Sequence, residues 1–294
     1  MRVRPFASDD ADAVRAILDA TYGDDRWVRS LHEGSHGLPV DHPHFRRSSL
    51  VAELDGVVVA AGTITSGQRH PRRSWLEIEV APAERRSGIG TALLGELRGF
   101  TERPLCARGR FVDEAAIGFL RRHGFGLLDR SWGGRFDPGA VVERLPEPTV
   151  GQSPTLDEAA AFFERWYCET HHFDPPTPWP LERARAFFCG DDLVAGSLVG
   201  VWDDGSLRGA ATLIRTPGYD PGDELYLVWA GTLGTDRQVA TSIVAACLQF
   251  AQDAGKAVRF EVNEANAAVL TALDQLGVLG EPDLGIFAED AATS

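Results

Sequence analysis

Two carboxylates and a glycine-rich turn stand side by side in this sequence. Glu77 and Glu79 alternate with Leu76, Ile78 and Val80, and the turn that leads to Gly90 follows at once. Alternation with a period of two is the pattern of a half-buried strand, so both carboxylates project from one face of it. A carboxylate held there can take a proton from an ammonium group, directly or through water. The turn offers the complementary chemistry. Arg85, Gly88 and Gly90 are spaced Arg-x-x-Gly-x-Gly, and Ala92, Leu93, Leu94, Leu97 and Phe100 behind them form an apolar stripe at helical spacing. The turn therefore feeds a helix N-terminus, where the first N–H groups lack partners and the dipole is positive, and two glycines let a phosphate approach the main chain. Neither common nucleotide signature is present: no third glycine completes Gly-x-Gly-x-x-Gly, and no Gly-Lys-Ser/Thr follows.

A second segment lies downstream, Asp113-Glu114-Ala115-Ala116-Ile117-Gly118-Phe119-Leu120-Arg121-Arg122-His123-Gly124-Phe125. Together the two segments resemble the acyl-CoA pyrophosphate loop and the Asn-x-x-Ala-x-x-Phe-Tyr-x-x-x-Gly-Phe segment of the GNAT N-acyltransferase superfamily. Asp113 replaces the usual Asn, and Leu120 replaces the frequent Tyr. The resemblance implies acetyl-CoA or another acyl-CoA as co-substrate, no metal, and direct acyl transfer to an amine. It also implies that backbone groups of Arg86, Ser87, Gly88, Ile89, Gly90 and Thr91 hold the pyrophosphate while Arg85 adds charge. The main chain at Glu79 and Val80 would meet the thioester, and Asp113 and Phe119 would complete the cofactor side. Glu77 and Glu79 are the candidate bases. With Leu120 in the tyrosine position, the thiolate must leave unprotonated, take a proton from water, or use Cys106 or His123.

The elements that would position these groups can be read in order. Val3 to Phe6 reads as a strand, and Ser8 or Asp9 can cap a helix with Ala13, Val14, Ile17, Leu18 and Tyr22 on its apolar face. Residues 23–46 hold His32, His36, His42 and His44 without periodicity, in a segment expected to line the acceptor pocket. Ser49 to Leu54 and Val57 to Thr65 flank Asp55-Gly56, a two-residue hairpin signal. Leu105 to Phe111 is the next strand, Glu114 to His123 a helix that Gly124 stops, and Phe125 to Arg135 a strand expected to close the sheet.

At 294 residues the chain suggests two domains, 1–145 and 146–294, with Pro and Gly enriched from Asp137 to Pro154 and a crossing strand expected at Ala140 to Leu145. The second half repeats the order of the first. Leu156 to Tyr167 and Leu181 to Phe188 read as helices on either side of the proline-rich loop 173–180. A hairpin at Asp203-Asp204-Gly205-Ser206, a strand at Leu225 to Ala230, a helix at Ile243 to Ala254, a strand at Ala257 to Val262 and a helix from Ala267 follow. Aligning Arg237 with Arg85 puts Ala240 and Ser242 where glycines belong, so the second loop reads as degenerate. The fold class expected is α/β (α+β): two tandem GNAT folds, each a mixed, mostly antiparallel, splayed sheet flanked by helices.

Charge separates the halves. Residues 1–145 carry 21 Lys+Arg against 20 Asp+Glu, and residues 146–294 carry 8 against 23, a net of −15. An acidic half solvates the protein or attracts a cationic amine rather than a phosphate backbone. This opposes an aminoacyl-tRNA-dependent transferase, an alternative raised by the similar layout of some double-GNAT proteins and by Arg103, Arg108, Arg110, Arg121 and Arg122. A further alternative is a non-catalytic acyl-CoA-binding protein, motivated by Leu120. The scattered cysteines, Cys106, Cys168, Cys189 and Cys247, give neither a disulfide framework nor a zinc motif. With no long apolar run, the expectation is a cytoplasmic monomer or homodimer acting on a small-molecule amine, without membrane contact. A plain thiolate leaves without help, so Leu120→Tyr is expected to keep steady-state turnover within about tenfold, or ~1.4 kcal/mol of barrier. A much larger gain would mean that a missing acid limits the reaction.

Overall fold

The computed structural model describes residues 1–23, 41–42, 45–137, 149–215 and 224–291. Most of the histidine-bearing stretch 23–46 and the strand expected at Ala140 to Leu145 lie outside the described residues. By contacts the chain divides into two compact units. One comprises Met1–Gly109, Gly118–Leu127 and Phe287–Ser294; the other comprises Arg110–Ile117 and Leu128–Ile286.

The first unit contains β1 (Arg2–Pro5), α1 (Ala11–Tyr22), β2 (Asp41–His42), β3 (Phe45–Leu54), β4 (Val57–Gly67), β5 (Ser74–Val80), α2 (Ile89–Arg98) and β6 (Leu105–Arg110) as far as Gly109. Its strands lie in the order β1-β3-β4-β5-β6, with β2 on β3. All pair antiparallel except β5 with β6. The Asp55-Gly56 turn has φ of 50° and 83°, the left-handed pair that matches strand twist in a two-residue hairpin. One face of the sheet carries Val51 and Ala61 under Val14 and Leu18 of α1. On the opposite face α2 buries Ile89, Leu93, Leu94 and Leu97. A Cβ at Gly62 would stand 2.7 Å from the Leu97 side chain, so glycine sets how closely α2 approaches β4.

Pairing between β5 and β6 is short. Ser74 pairs with Leu105 and Trp75 with Cys106, and no pairing with β6 continues along Leu76 to Val80. The strands part on the side that leads to the glycine turn, which is the splay expected from the resemblance. At the paired end the unit is completed by residues from the far end of the chain. The N–H of Glu289 donates to the Leu105 carbonyl at 3.0 Å, and the Leu105 N–H donates to the Glu289 carboxylate at 2.9 Å. Arg98, the last residue of α2, donates its Nε to Glu289 at 3.0 Å. Arg73, only 2% exposed, grips Asp290 with Nε and Nη2 at 2.6 and 2.9 Å.

In the second unit, the strands run β12-β7-β11-β10-β9-β8. They are β7 (Gly126–Phe136) from Leu128 onward, β8 (Val199–Asp203), β9 (Ser206–Ile214), β10 (Glu224–Thr232), β11 (Ala257–Asn263) and β12 (Leu284–Ala288) as far as Ile286. The strand expected to close the first sheet is placed differently: Ser131 to Phe136 of β7 pair antiparallel with β11. Two local features account for this. Glycine at 134 accepts the Phe260 ring, which would lie 2.2 Å from an added Cβ, and Arg135 shares Glu224 with Arg259, each at 2.6 Å. Strand alternation carries no information about which neighbour a strand will take.

Helices cover both faces. Helix α3 (Glu114–Arg122) has its first four residues in this unit and the rest in the first. Next come α4 (Leu156–Thr170), α5 (Leu181–Phe188), α6 (Arg237–Asp253) and α7 (Ala267–Gln275). Thr155 and Glu158 form a reciprocal capping box at the start of α4. The α4 and α5 side packs Phe162, Phe163, Trp166 and Phe188 over Ala210, and the other side packs Ile243, Val244 and Leu248 of α6 against Val258 and Phe260.

The Arg73 ion pair holds the Asp290 carboxyl well below its usual range. Asp290→Asn is expected to cost about 1–3 kcal/mol in thermal unfolding, since it removes a charged hydrogen-bond partner from a buried guanidinium. A depressed folded-state pKa stabilises above the unfolded value and is lost as pH falls through the folded one. The difference between wild type and variant should therefore be full at neutral pH and shrink below about pH 4.

Candidate active site

The proposed phosphate cradle is built where β5 ends. Pro82 to Glu84 make one tight turn, Arg86 adopts φ of 69°, Gly88 adopts φ of 86°, and α2 begins at Ile89. Left-handed backbone at Gly88 costs a glycine little, and no side chain caps the helix there. The first intrahelical bond runs from the Ala92 N–H to the Gly88 carbonyl at 3.0 Å, so the N–H groups of Ile89, Gly90 and Thr91 point out of the helix end without an intrahelical acceptor. Ser87 closes the turn by donating its hydroxyl to the Glu84 carbonyl. A Cβ at Gly88 would meet nothing within 4 Å, whereas one at Gly90 would lie 3.3 Å from the Phe119 ring. Donors, open space and positive dipole together fit a pyrophosphate.

Phe119 lies over the first turn of α2 and packs on His123, ring centroids 4.5 Å apart. His123 Nε2 is 3.2 Å from the Thr91 hydroxyl, and burial, aided by Arg98 and Arg122, pushes its pKa below the ordinary value. A neutral imidazole is the form present at neutral pH, which makes His123 a poor standing acid. Cys106, 1% exposed, sits at the paired end of β5 and β6, with its Sγ 3.6 Å from the Ser74 carbonyl. Leu120 is buried.

Arg85 does not reach into the turn. Its Nε donates to the Val80 carbonyl at 3.1 Å and its Nη2 to the Thr21 hydroxyl at 3.4 Å, bracing the turn against β5 and α1. Asp113 falls in the second unit, where its Oδ1 accepts the Ala116 N–H at 2.9 Å and caps α3. That explains an acid at this position without a ligand.

Glu77 and Glu79 share a face of β5, opposite Thr63 and Ala61 of β4. Glu79 is buried and accepts the hydroxyl of Tyr22, the last residue of α1. Glu77 is half-buried and attracts Arg47, whose pKa burial pulls below its usual value while Glu77 opposes the shift. Sequence reasoning placed Tyr22 on an apolar stripe and missed this role. The available signal was its type, since a half-buried phenol on a packed helix face still needs a partner for its hydroxyl.

The second unit shows the same opening without the cradle. Pairing of β10 with β11 stops at Leu227 and Phe260, and β10 runs on to Thr232 along β9. However, α6 begins at Arg237, so Arg237, Ala240 and Ser242 are helical and the turn is Gly234-Thr235-Asp236. This corrects the loop register expected from Arg237. Asp236 Oδ1 accepts the N–H groups of Gln238 and Val239 at 3.0 and 3.1 Å, filling the positions that an anion would use. Asn266 donates to the Ala230 carbonyl at 2.9 Å, and a Cβ at Gly231 would fall 2.2 Å from the Trp166 indole nitrogen. Among the described residues no group of His, Cys, Asp and Glu is arranged to hold a metal ion, and no helix is long and apolar enough to cross a membrane.

Residues 14–125 match the model of the acetyltransferase (GNAT) family. Several solved structures share the fold along the whole chain. A tandem GNAT protein from the clavulanic acid biosynthesis pathway superposes with a TM-score of 0.66 at 18% identity, covering 100% of this chain and 99% of that one. A GCN5-related N-acetyltransferase from Sphaerobacter thermophilus gives 0.64 at 15%, covering 100% and 98%. A GNAT-family acetyltransferase from Colwellia psychrerythraea gives 0.59 at 12%, covering 98% of each chain. No curated protein sequence matches. The match to the acetyltransferase (GNAT) family thus spans residues 14–125, the segment that holds the turn before α2, and the likeness in fold to GNAT structures, one of them a tandem protein, runs along the whole chain.

Proposed function

We propose that this protein transfers an acetyl or related acyl group from acyl-CoA to the amine of a small molecule, directly and at the first domain. The domain division intended is 1–145 with the working loop and 146–294 with a degenerate one. The observation that carries the reading is the uncapped N-terminus of α2 beside the unpaired stretch of β5, set against an α6 N-terminus already capped by Asp236. Arg86 to Thr91 are the groups that would hold the pyrophosphate, and the unpaired edge from Leu76 to Val80 would accompany the pantetheine. When bound, acyl-CoA supplies the thioester carbon as electrophile.

The protein's own groups prepare the nucleophile. An amine reaches the site as an ammonium and must lose a proton before it can attack. Glu79, fixed by Tyr22, is the acceptor for that proton, and Glu77 is its partner or relay. The nitrogen then forms the C–N bond as the C–S bond breaks. Two protons leave the nitrogen in all, one to the carboxylate and one to the departing thiolate through water. Leu120 offers no phenol for that last transfer.

Isothermal titration of acetyl-CoA tests the cofactor half of this reading. Wild type is expected to bind at a single site per chain, and Gly88→Glu, which sets a carboxylate in the cradle, to weaken affinity at least about 100-fold, ~2.7 kcal/mol. Binding unchanged in the variant would move the site elsewhere. For the chemical half, Glu77→Gln with Glu79→Gln is expected to lower kcat by roughly 10²–10⁴ and flatten the acid limb of the pH–rate profile. A double variant with unaltered rate and profile removes both as bases.

A further inference from the structure

Strand β7 reaches beyond the end of its partner. Its ladder with β11 stops where Ser131 faces Asn263, the last residue of β11, and the Glu264 N–H then donates to the Arg130 carbonyl at 2.7 Å. Asp129 comes next along β7, past the end of β11 and on the side where β10 and β11 have already parted. Its face follows from alternation. Gly134 lies against the Phe260 ring and Phe136 packs in the core beneath α6, so Asp129, Ser131 and Gly133 take the opposite face, the one that α4 and α5 cover. The chain leaving α4 returns to this corner: His172, two residues past the end of that helix, is close enough to act on the Asp129 charge.

The Asp129 residue is 7% exposed, and its Oδ2 is enclosed with no hydrogen-bond partner among the described residues. Buried polar atoms are almost always bonded, so an orphaned carboxylate oxygen marks a place where a donor is missing. The charge is as poorly matched as the oxygen. Burial, with Glu264 nearby, raises the carboxyl pKa to about 6, although the Arg130 N–H, His172 and the Arg130 side chain all favour the charged form. That side chain is turned to Glu264, its Nη1 lying 3.4 Å from the carboxylate. Helix α4 adds to the negative side, because its C-terminal pole ends here and its last turn holds no basic residue. At neutral pH the corner therefore holds an ionised, buried carboxylate. A water molecule would satisfy the oxygen and leave the charge, whereas an ammonium group satisfies both.

We propose that the second unit binds the ammonium group of a small molecule, with Asp129 as its counter-charge and hydrogen-bond acceptor. Glu264 adds attraction, and His172, when protonated, competes with the ligand for the same carboxylate. The site uses none of the first unit's residues, so it stands or falls apart from the acyl-transfer reading. Because Asp129 must be ionised to receive a cation, binding expels its proton, and affinity falls as pH drops through about 6.

The test titrates n-butylammonium into the full chain by calorimetry at constant ionic strength, with n-butanol and butyrate as probes of equal length. Wild type, Asp129→Asn, His172→Gln and the double variant Glu77→Gln with Glu79→Gln are compared, each checked by thermal melting. At about pH 8, where the amine is an ammonium, wild type is expected to bind it at least about tenfold more tightly than either control. That binding should persist in the double variant, which keeps the second unit intact. It should weaken at least about tenfold in Asp129→Asn, which keeps the shape of the side chain and removes its charge. Between about pH 7 and 5 affinity should fall and protons be released, seen as a binding heat that varies with the ionisation enthalpy of the buffer. This pH dependence should survive His172→Gln and vanish in Asp129→Asn. Should Asp129→Asn fail to fold, proton release in the double variant and in His172→Gln carries the comparison. Absence of butylammonium binding, or equal affinity for butanol, overturns the proposal and leaves Asp129 an acid satisfied by water. Binding that is lost in the double variant and kept in Asp129→Asn overturns it by moving the site to the first unit.

Discussion

The incomplete pairing of β5 with β6 is the constraint on which the rest of the first unit depends. A strand that loses its neighbour after two residues leaves backbone groups to be satisfied by something other than sheet, and unsatisfied groups of this kind are costly when buried. Everything nearby either keeps the gap open or makes use of it. Arg85 binds the Val80 carbonyl and fixes where the strand ends, α2 starts beyond it with uncapped N–H groups, and Phe119 covers the first helical turn. The Glu289 and Asp290 contacts secure the opposite, paired end, so the strands diverge from a fixed point.

The two units are a natural comparison of one architecture without and with a side-chain cap on the helix that follows the open strand. Both leave the edge of a central strand unpaired, at Leu76 to Val80 and beyond Leu227. They differ in a few atoms. Gly88 has no side chain to offer its helix, and Asp236 offers a carboxylate that satisfies two N–H groups. A side-chain cap is worth roughly 0.5–2 kcal/mol to a helix, so the first unit forgoes stability at the point where a ligand's oxygens would restore it. The second has taken the stability and closed the position.

Much of this was legible in the residues. The paired glycine-bearing hairpins and the turn that feeds α2 follow from backbone chemistry that acts over a few positions, and they appear where expected. Features that join distant segments were not legible. Alternation identified β7 as a strand but not β11 as its partner, because pairing was decided by a cleft at Gly134 and a carboxylate at Glu224. Helix α6 starts six residues before the Ile243 expected from periodicity, since Arg237 to Ser242 lacks a clean apolar stripe while Asp236 caps it. Likewise Tyr22 read as an apolar helix residue until its hydroxyl was seen on Glu79.

The clamp at the paired end of the first unit bears on the order in which the chain can mature. Arg98 and Glu289 are separated by 191 residues, and Arg73 and Asp290 by 217. At a synthesis rate of about 5–20 residues per second, α2 waits roughly 10–40 s for its partner residues to be made. During that interval Arg73 lacks its ion pair with Asp290 and the Leu105 backbone lacks its bonds to Glu289, leaving a sheet edge on which a chaperone or a neighbouring nascent chain can act. The first half to be translated is thus among the last to reach its final form, because contacts that complete its sheet come from residues 289 and 290.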